Sequence, residues 1–118
     1  MASGRLSPAA RAALQDAREI FVSPASFYEI GNKVRLGKWP EARPFLGRLT
    51  GILDEQGGRQ AEFTPAVALA AGTLGWTHRD PFDRIIAATA IAHGLVLVSA
   101  DTAFDALAGD PGWTARIW

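Results

Sequence analysis

Three acidic side chains fall where a predicted strand meets a predicted helix. Glu29 lies in the first turns after Ile20-Phe21-Val22, Asp83 in the first turn after Asp80-Pro81, and Asp101 just after Leu95-Val96-Leu97-Val98. In a parallel α/β sheet all three positions share the carboxyl edge, where ligands and chemistry gather. Carboxylates converging there suit a hard divalent cation such as Mg2+, which takes oxygen ligands, usually one or two direct carboxylates with waters and substrate phosphate. A cation so held orients or deprotonates a water and stabilises charge on a phosphodiester under attack. Mutual repulsion also raises some of the carboxyl pKa values until the cation binds.

Each acid has a structural role open to it as well. Glu29 precedes Lys33 by four residues, the spacing of an ordinary ion pair on a helix surface. Asp83 stands near the positive end of a helix dipole, a place worth roughly 0.3–1 kcal/mol to an acid. Asp101 suits a turn or a cap, although its place after a wholly apolar strand tilts it towards function. Asp80 reads as a helix N-cap rather than a ligand, and Asp105 and Asp110 read as solvent or turn residues. Other chemistries have less support. His78 and His93 lack a partner at metal-ligand spacing, His78 falling in a loop and His93 at a helix end. Ser26 and Ser99 have no GxSxG setting, and the glycines form neither a phosphate loop nor a dinucleotide fingerprint. These patterns argue against covalent catalysis and nucleotide binding.

The elements that must position the acids follow from local signals. Ser7-Pro8, Ser23-Pro24, Thr64-Pro65 and Asp80-Pro81 each join a capping side chain to a proline at the first helical position, where its missing N–H costs nothing. They predict helices over Ala9–Arg18, Pro24–Leu36, Thr64 to about Gly72, and Asp80–His93. Gly37 and Gly94 supply left-handed stops. Phe27, Ile30 and Val34 recur at helical spacing in the second helix, facing away from Glu29. Pro40–Glu55 reads as helical, closed by Gln56-Gly57-Gly58. Candidate strands are Ile20–Val22, Glu62–Thr64 at an edge, Leu95–Val98 buried on both faces, and Thr114–Trp118. Thr73–Thr77 reads as a loop, Phe104–Leu107 as a helical turn, and Met1–Gly4 offers no element. The repeated strand-then-helix order predicts an α/β fold with a parallel sheet.

A chain of 118 residues suits a single domain, residues 1–118, and the 48% apolar fraction with four tryptophans argues for a packed globule. No apolar run is long enough to span a bilayer or form a signal-peptide core, so a soluble cytoplasmic protein without a membrane partner is expected. The absence of cysteine excludes disulfides, a thiolate nucleophile and cysteine-ligated metals. The formal net charge of zero gives no global attraction to nucleic acid, so RNA contact needs a local patch. Lys33, Arg35, Lys38, Arg43 and Arg48, with Trp39 among them, form the candidate; a solvated helix face explains the same run.

Three segments together resemble one family. SPASFYEIGNKVRLGKW is similar to the strand end, acidic helix and basic tail of PIN-domain nucleases of the VapC toxin branch; HRDPFDRIIAATAIAHGLVLVSAD is similar to their second acidic helix and strand, and ARIW to their closing strand. The resemblance implies a three-layer α/β/α fold around a parallel sheet and a Mg2+- or Mn2+-dependent endoribonuclease acting on RNA. It also implies a cognate antitoxin that blocks the site, and a homodimer. By position, Glu29, Asp83 and Asp101 match the family's metal-binding and catalytic acids. Ser99 matches the hydroxyl that often stands two residues before the last of them. Asp80 joins Ser99 in support, and Lys33, Arg35 and Lys38 are the candidate RNA contacts.

One departure stands out. Such toxins open with an apolar strand ending in a metal-binding aspartate, whereas the first element predicted here is a helix, and nothing among Met1–Leu6 substitutes for that strand. The expectation is therefore a PIN-like chain missing the usual first, central strand, with either a misplaced start, the preferred reading, or a natural remnant as the cause. With one carboxylate fewer, hydrolysis should fall far below that of a full-length relative. The sheet must then close on itself, take a strand from a second chain, or leave the protein marginally stable. Two rivals remain open: a non-catalytic remnant that binds antitoxin or a second toxin chain, and a small α/β interaction domain with no metal site.

Overall fold

A computed structural model describes residues 6–118, and the expectation that Met1–Gly4 carries no element lies outside them. The described residues group into two compact units, one of residues 6–18 with 64–118 and one of residues 19–63.

Local chemistry starts the helices of both. Helices α1 (Pro8–Asp16), α2 (Pro24–Arg35), α4 (Pro65–Thr73) and α5 (Pro81–His93) each begin with proline after a capping side chain. Ser7 Oγ accepts from Ala10 N–H (3.0 Å), Ser23 Oγ from Ala25 (3.2 Å), Thr64 Oγ1 from Val67 (3.2 Å) and Asp80 Oδ1 from Phe82 (2.9 Å). Each cap satisfies one of the N–H groups that the first helical turn leaves unpaired. At the other end of α5, Gly94 takes the left-handed conformation (φ 64°), and its N–H turns back to the carbonyls of Ala90 and Ile91. That reversal sends the chain straight into the next strand.

In the unit of residues 19–63, strands β1 (Phe21–Val22) and β2 (Arg59–Gln60) pair in parallel through Arg59 N–H to Ile20 O and Ala61 N–H to Val22 O, both 2.8 Å. The partner strand is therefore not the predicted Glu62–Thr64. Gly57, at φ 76°, ends helix α3 (Leu49–Glu55), and a Cβ on Gly58 would lie 2.2 Å from Leu53 Cδ1, so two glycines fold the chain into pairing directly. Both β2 residues are exposed and polar, which hides the strand from an apolar pattern. The predicted helical run Pro40–Glu55 opens as a 3-10 helix over Pro40–Arg48 and continues as α3. Pro44 inside the 3-10 helix has no N–H to donate and crowds the carbonyl one turn back. Helix α2 packs against this segment, and Ala25, Val34, Ala42 and Ala61 are buried.

In the other unit, β3 (Leu97–Val98) and β4 (Arg116–Ile117) pair in parallel, through Leu97 N–H to Ala115 O (2.9 Å) and Ser99 N–H to Ile117 O (3.2 Å). The predicted strand over Leu95–Val98 is thus shorter, and it is not buried on both faces: Leu97 and Val98 are half-buried and Val96 is 45% exposed. Among the described residues β3 has one ladder neighbour, whereas full burial of a parallel strand needs neighbours and cover on both sides. The core lies instead around α5. Small side chains at Ala71 and Ala88 let α4 and α5 approach closely, with Val67 and Ile85 beside them. Ala87, Phe104 and Leu107 form a second cluster with Leu74, Trp76, Ile86, Leu97 and Trp113. Buried Thr89 satisfies its hydroxyl on Ile85 O at 2.7 Å. A 3-10 helix at Thr102–Leu107 carries Phe104 and Leu107 into this core. The fold class is α/β, and every strand pair among the described residues is parallel. No helix among these residues is long and apolar enough to cross a membrane.

Candidate active site

Asp83 sits in the first turn of α5, its side chain 16% exposed. Five residues earlier, His78 leaves the loop before α5, and its Nε2 lies 2.7 Å from Asp83 Oδ2. An ionised carboxylate only accepts hydrogen bonds, so in that state Nε2 carries the proton. The His78 ring stacks on Trp76 (centroids 4.7 Å apart, planes at 26°), and Trp76 in turn rests on Phe104 at 5.4 Å. An aromatic column rooted in the core thus fixes the imidazole that faces Asp83.

Asp80 completes the group. One potential ligand atom from each of His78, Asp80 and Asp83 lies within 4.8 Å of the others. Asp80 also caps α5, as its sequence position predicts. Burial, above all, raises the Asp83 carboxyl pKa above its ordinary value; the His78 hydrogen bond opposes this, and the nearby charges of Asp80 and Asp101 add to the rise. The Asp101 carboxylate caps the following 3-10 helix, Oδ1 accepting from Ala103 N–H at 2.9 Å, so the cap role open to it in the sequence is real. Ser99 Oγ accepts from Asp101 N–H (3.1 Å), and Arg116 donates to Ser99 O (3.0 Å). Arg116 also grips both oxygens of Asp105 (2.8 and 3.0 Å), holding that carboxyl below its ordinary pKa. Asp105 is thus an anchor for the strand that follows, not merely the solvent residue read from the sequence.

Glu29 lies partly buried on α2, in the unit of residues 19–63. Lys33 and Arg35 occupy the last turn of the same helix, where cations oppose the negative end of the dipole, and Lys38 follows exposed after Gly37. Arg35 also donates to the Asn32 side chain.

Two residues escape the sequence reading. The sequence puts His78 in a loop without a partner; the loop is correct, but the partners are Asp80 and Asp83. The sharp entry into a proline-started helix folds a His-x-Asp-x-x-Asp stretch back on itself, and that spacing is the available signal. The other is Arg84, whose five donors all meet main-chain carbonyls.

Comparison with known proteins bears on this arrangement. The PIN domain family model matches residues 4–110. Ribonuclease VapC22 of Mycobacterium tuberculosis (strain ATCC 25618 / H37Rv) is 37% identical over 98 residues, covering 82% of this chain and 74% of that protein. No solved structure gives a significant match. The family match spans nearly the whole chain and includes Glu29, Asp83 and Asp101, so this protein belongs to the PIN-domain family, in its VapC-type branch.

Proposed function

We propose that this protein is the endoribonuclease toxin of a toxin–antitoxin pair, a single PIN domain that hydrolyses RNA phosphodiester bonds at a divalent-cation site. Glu29, Asp83 and Asp101 are its catalytic acids. The observation that carries the reading is the grouping of the partly buried Asp83 carboxylate with Asp80 and His78, one ligand atom of each within 4.8 Å of the others, with burial raising the Asp83 pKa. Gathered negative charge at a partly buried position is unfavourable alone and favourable around a cation. The relative named as a ribonuclease supports the substrate class.

The donor set fits Mg2+ or Mn2+, which prefer carboxylate oxygen. When bound, such an ion lowers the pKa of a coordinated water and offsets charge on the phosphate. The protein's own residues set the geometry: His78 fixes the Asp83 rotamer, Asp80 ties the start of α5, and Ser99 with Arg116 holds the turn that presents Asp101. A cognate antitoxin covering the acidic site, and a homodimer, complete the proposed assembly.

The test is cleavage of labelled RNA by the purified chain with Mg2+ or Mn2+. Activity should vanish with EDTA and fall at least about tenfold in Asp101→Asn, a change that retains a capping side chain. Cleavage indifferent to both EDTA and this substitution would refute the proposal. The RNA-binding cations are checked separately. Replacing Lys33, Arg35 and Lys38 together by alanine should weaken binding across RNA sequences and flatten its dependence on log salt by about 0.7 for each phosphate no longer neutralised. An unchanged salt slope would assign these cations to the helix end alone.

A further inference from the structure

The guanidinium of Arg84 is saturated by one short stretch of chain. Its Nε donates to Ala71 O (2.9 Å), one terminal nitrogen to Trp76 O (2.6 Å) and His78 O (2.9 Å), and the other to Gly72 O (3.4 Å) and Leu74 O. Five N–H donors in a rigid planar fork is the full complement of an arginine. Two acceptors lie in the last turn of α4, where carbonyls lack helical partners, and three lie in the loop to α5. A seven-residue connection at 74–80 therefore takes its path from one side chain in the first turn of α5.

The last carbonyl on the fork belongs to His78, whose ring reaches Asp83, the neighbour of Arg84 in sequence. The loop's other aromatic, Trp76, has its carbonyl on the same fork and its ring against His78. We propose that Arg84 is a positioning residue for the acidic site, fixing the α4–α5 loop so that His78 holds the Asp83 carboxylate in a single orientation. This rests on the reading of Asp83 as a cation ligand. A hydrogen-bond partner of a ligating carboxylate typically matters about 10–100-fold in metal affinity. Arg84 acts one step behind such a partner.

Lysine separates the fork from the charge, because an ammonium offers three donors from one point and cannot span five carbonyls. In the full chain labelled with 15N, the wild-type His78 ring should show one tautomer, protonated at Nε2 and protected from exchange. Arg84→Lys should leave the amides of Thr89 and Ala90 unshifted while the His78 ring averages between tautomers. On the same samples, Mn2+ affinity followed by electron paramagnetic resonance should weaken about tenfold, and adding His78→Gln should weaken it no further. A lower melting temperature with the His78 ring state unchanged, or additive losses in the double variant, would overturn the proposal. If Arg84→Lys fails to fold, the wild-type Arg84 signals decide: separate, slowly exchanging terminal N–H resonances support the clamp, and averaged, freely rotating ones overturn it. Wild-type protein that binds no Mn2+ would remove the cation-site reading, while the His78 ring state would still decide whether Arg84 orders the loop.

Discussion

Asp83→Asn is expected to lower RNA hydrolysis at least about 100-fold while leaving the cation-free protein as stable as wild type or more so. Loss of several kcal/mol of transition-state stabilisation gives the first effect, each 1.4 kcal/mol being about tenfold in rate. The second follows from the raised pKa of the Asp83 carboxyl. Between the ordinary value and the raised one, the folded state binds more protons than the unfolded state. Stability therefore falls as pH climbs through that window, and the deficit persists at neutral pH. Asparagine resembles the neutral acid in shape and still offers an oxygen to His78 Nε2, now at 2.7 Å from Asp83. Thermal melts without metal should place the variant at or above wild type. Added Mn2+ should raise the wild-type midpoint by mass action and leave that of Asp83→Asn nearly unmoved. A variant that unfolds like a core mutant, or that cleaves RNA normally, would contradict the assignment. For wild type, cation affinity should weaken as pH falls towards the raised Asp83 pKa, because protons compete for the same oxygens.

Phe104→Ala should cost about 3–5 kcal/mol, the range for removing a buried aromatic and leaving a cavity. Phe104 is 2% exposed and lies between Trp76 (5.4 Å) and Trp113 (6.4 Å), with Ala87 and Leu107 completing the cluster. Large, shape-specific rings cannot collapse into the void as flexible side chains do. At about 4 °C per kcal/mol for a domain of this size, the melting midpoint should drop by roughly 12–20 °C. The site should loosen too, since Trp76 bridges Phe104 and the His78 ring. Calorimetry gives the stability change, and the His78 ring resonances report the site below the new midpoint. A shift of only a few degrees would mean that the aromatic column is not a principal support.

What the amino-acid order determined by itself was local. Four capping side chains followed by proline start helices because the cap and its target N–H lie two or three residues apart, and Gly94 ends α5 because glycine tolerates positive φ. The parallel pairing of the strands was legible for the same reason, and so were the places of Asp83 in the first turn of α5 and of Asp101 shortly after β3: strand, turn, helix and acid are neighbours along the chain. Pairing over distance was not legible. Strand β2 is polar and found its partner through main-chain groups, which carry no side-chain signature. Asp105 met Arg116 across eleven residues, and the fork of Arg84 reached back over six to thirteen. Hydrogen bonds are short and directional, so they exist only once the backbone path brings donor to acceptor. The sequence names which groups are able to pair, and the tertiary structure alone decided that His78 meets Asp83 and that Arg84 meets the loop.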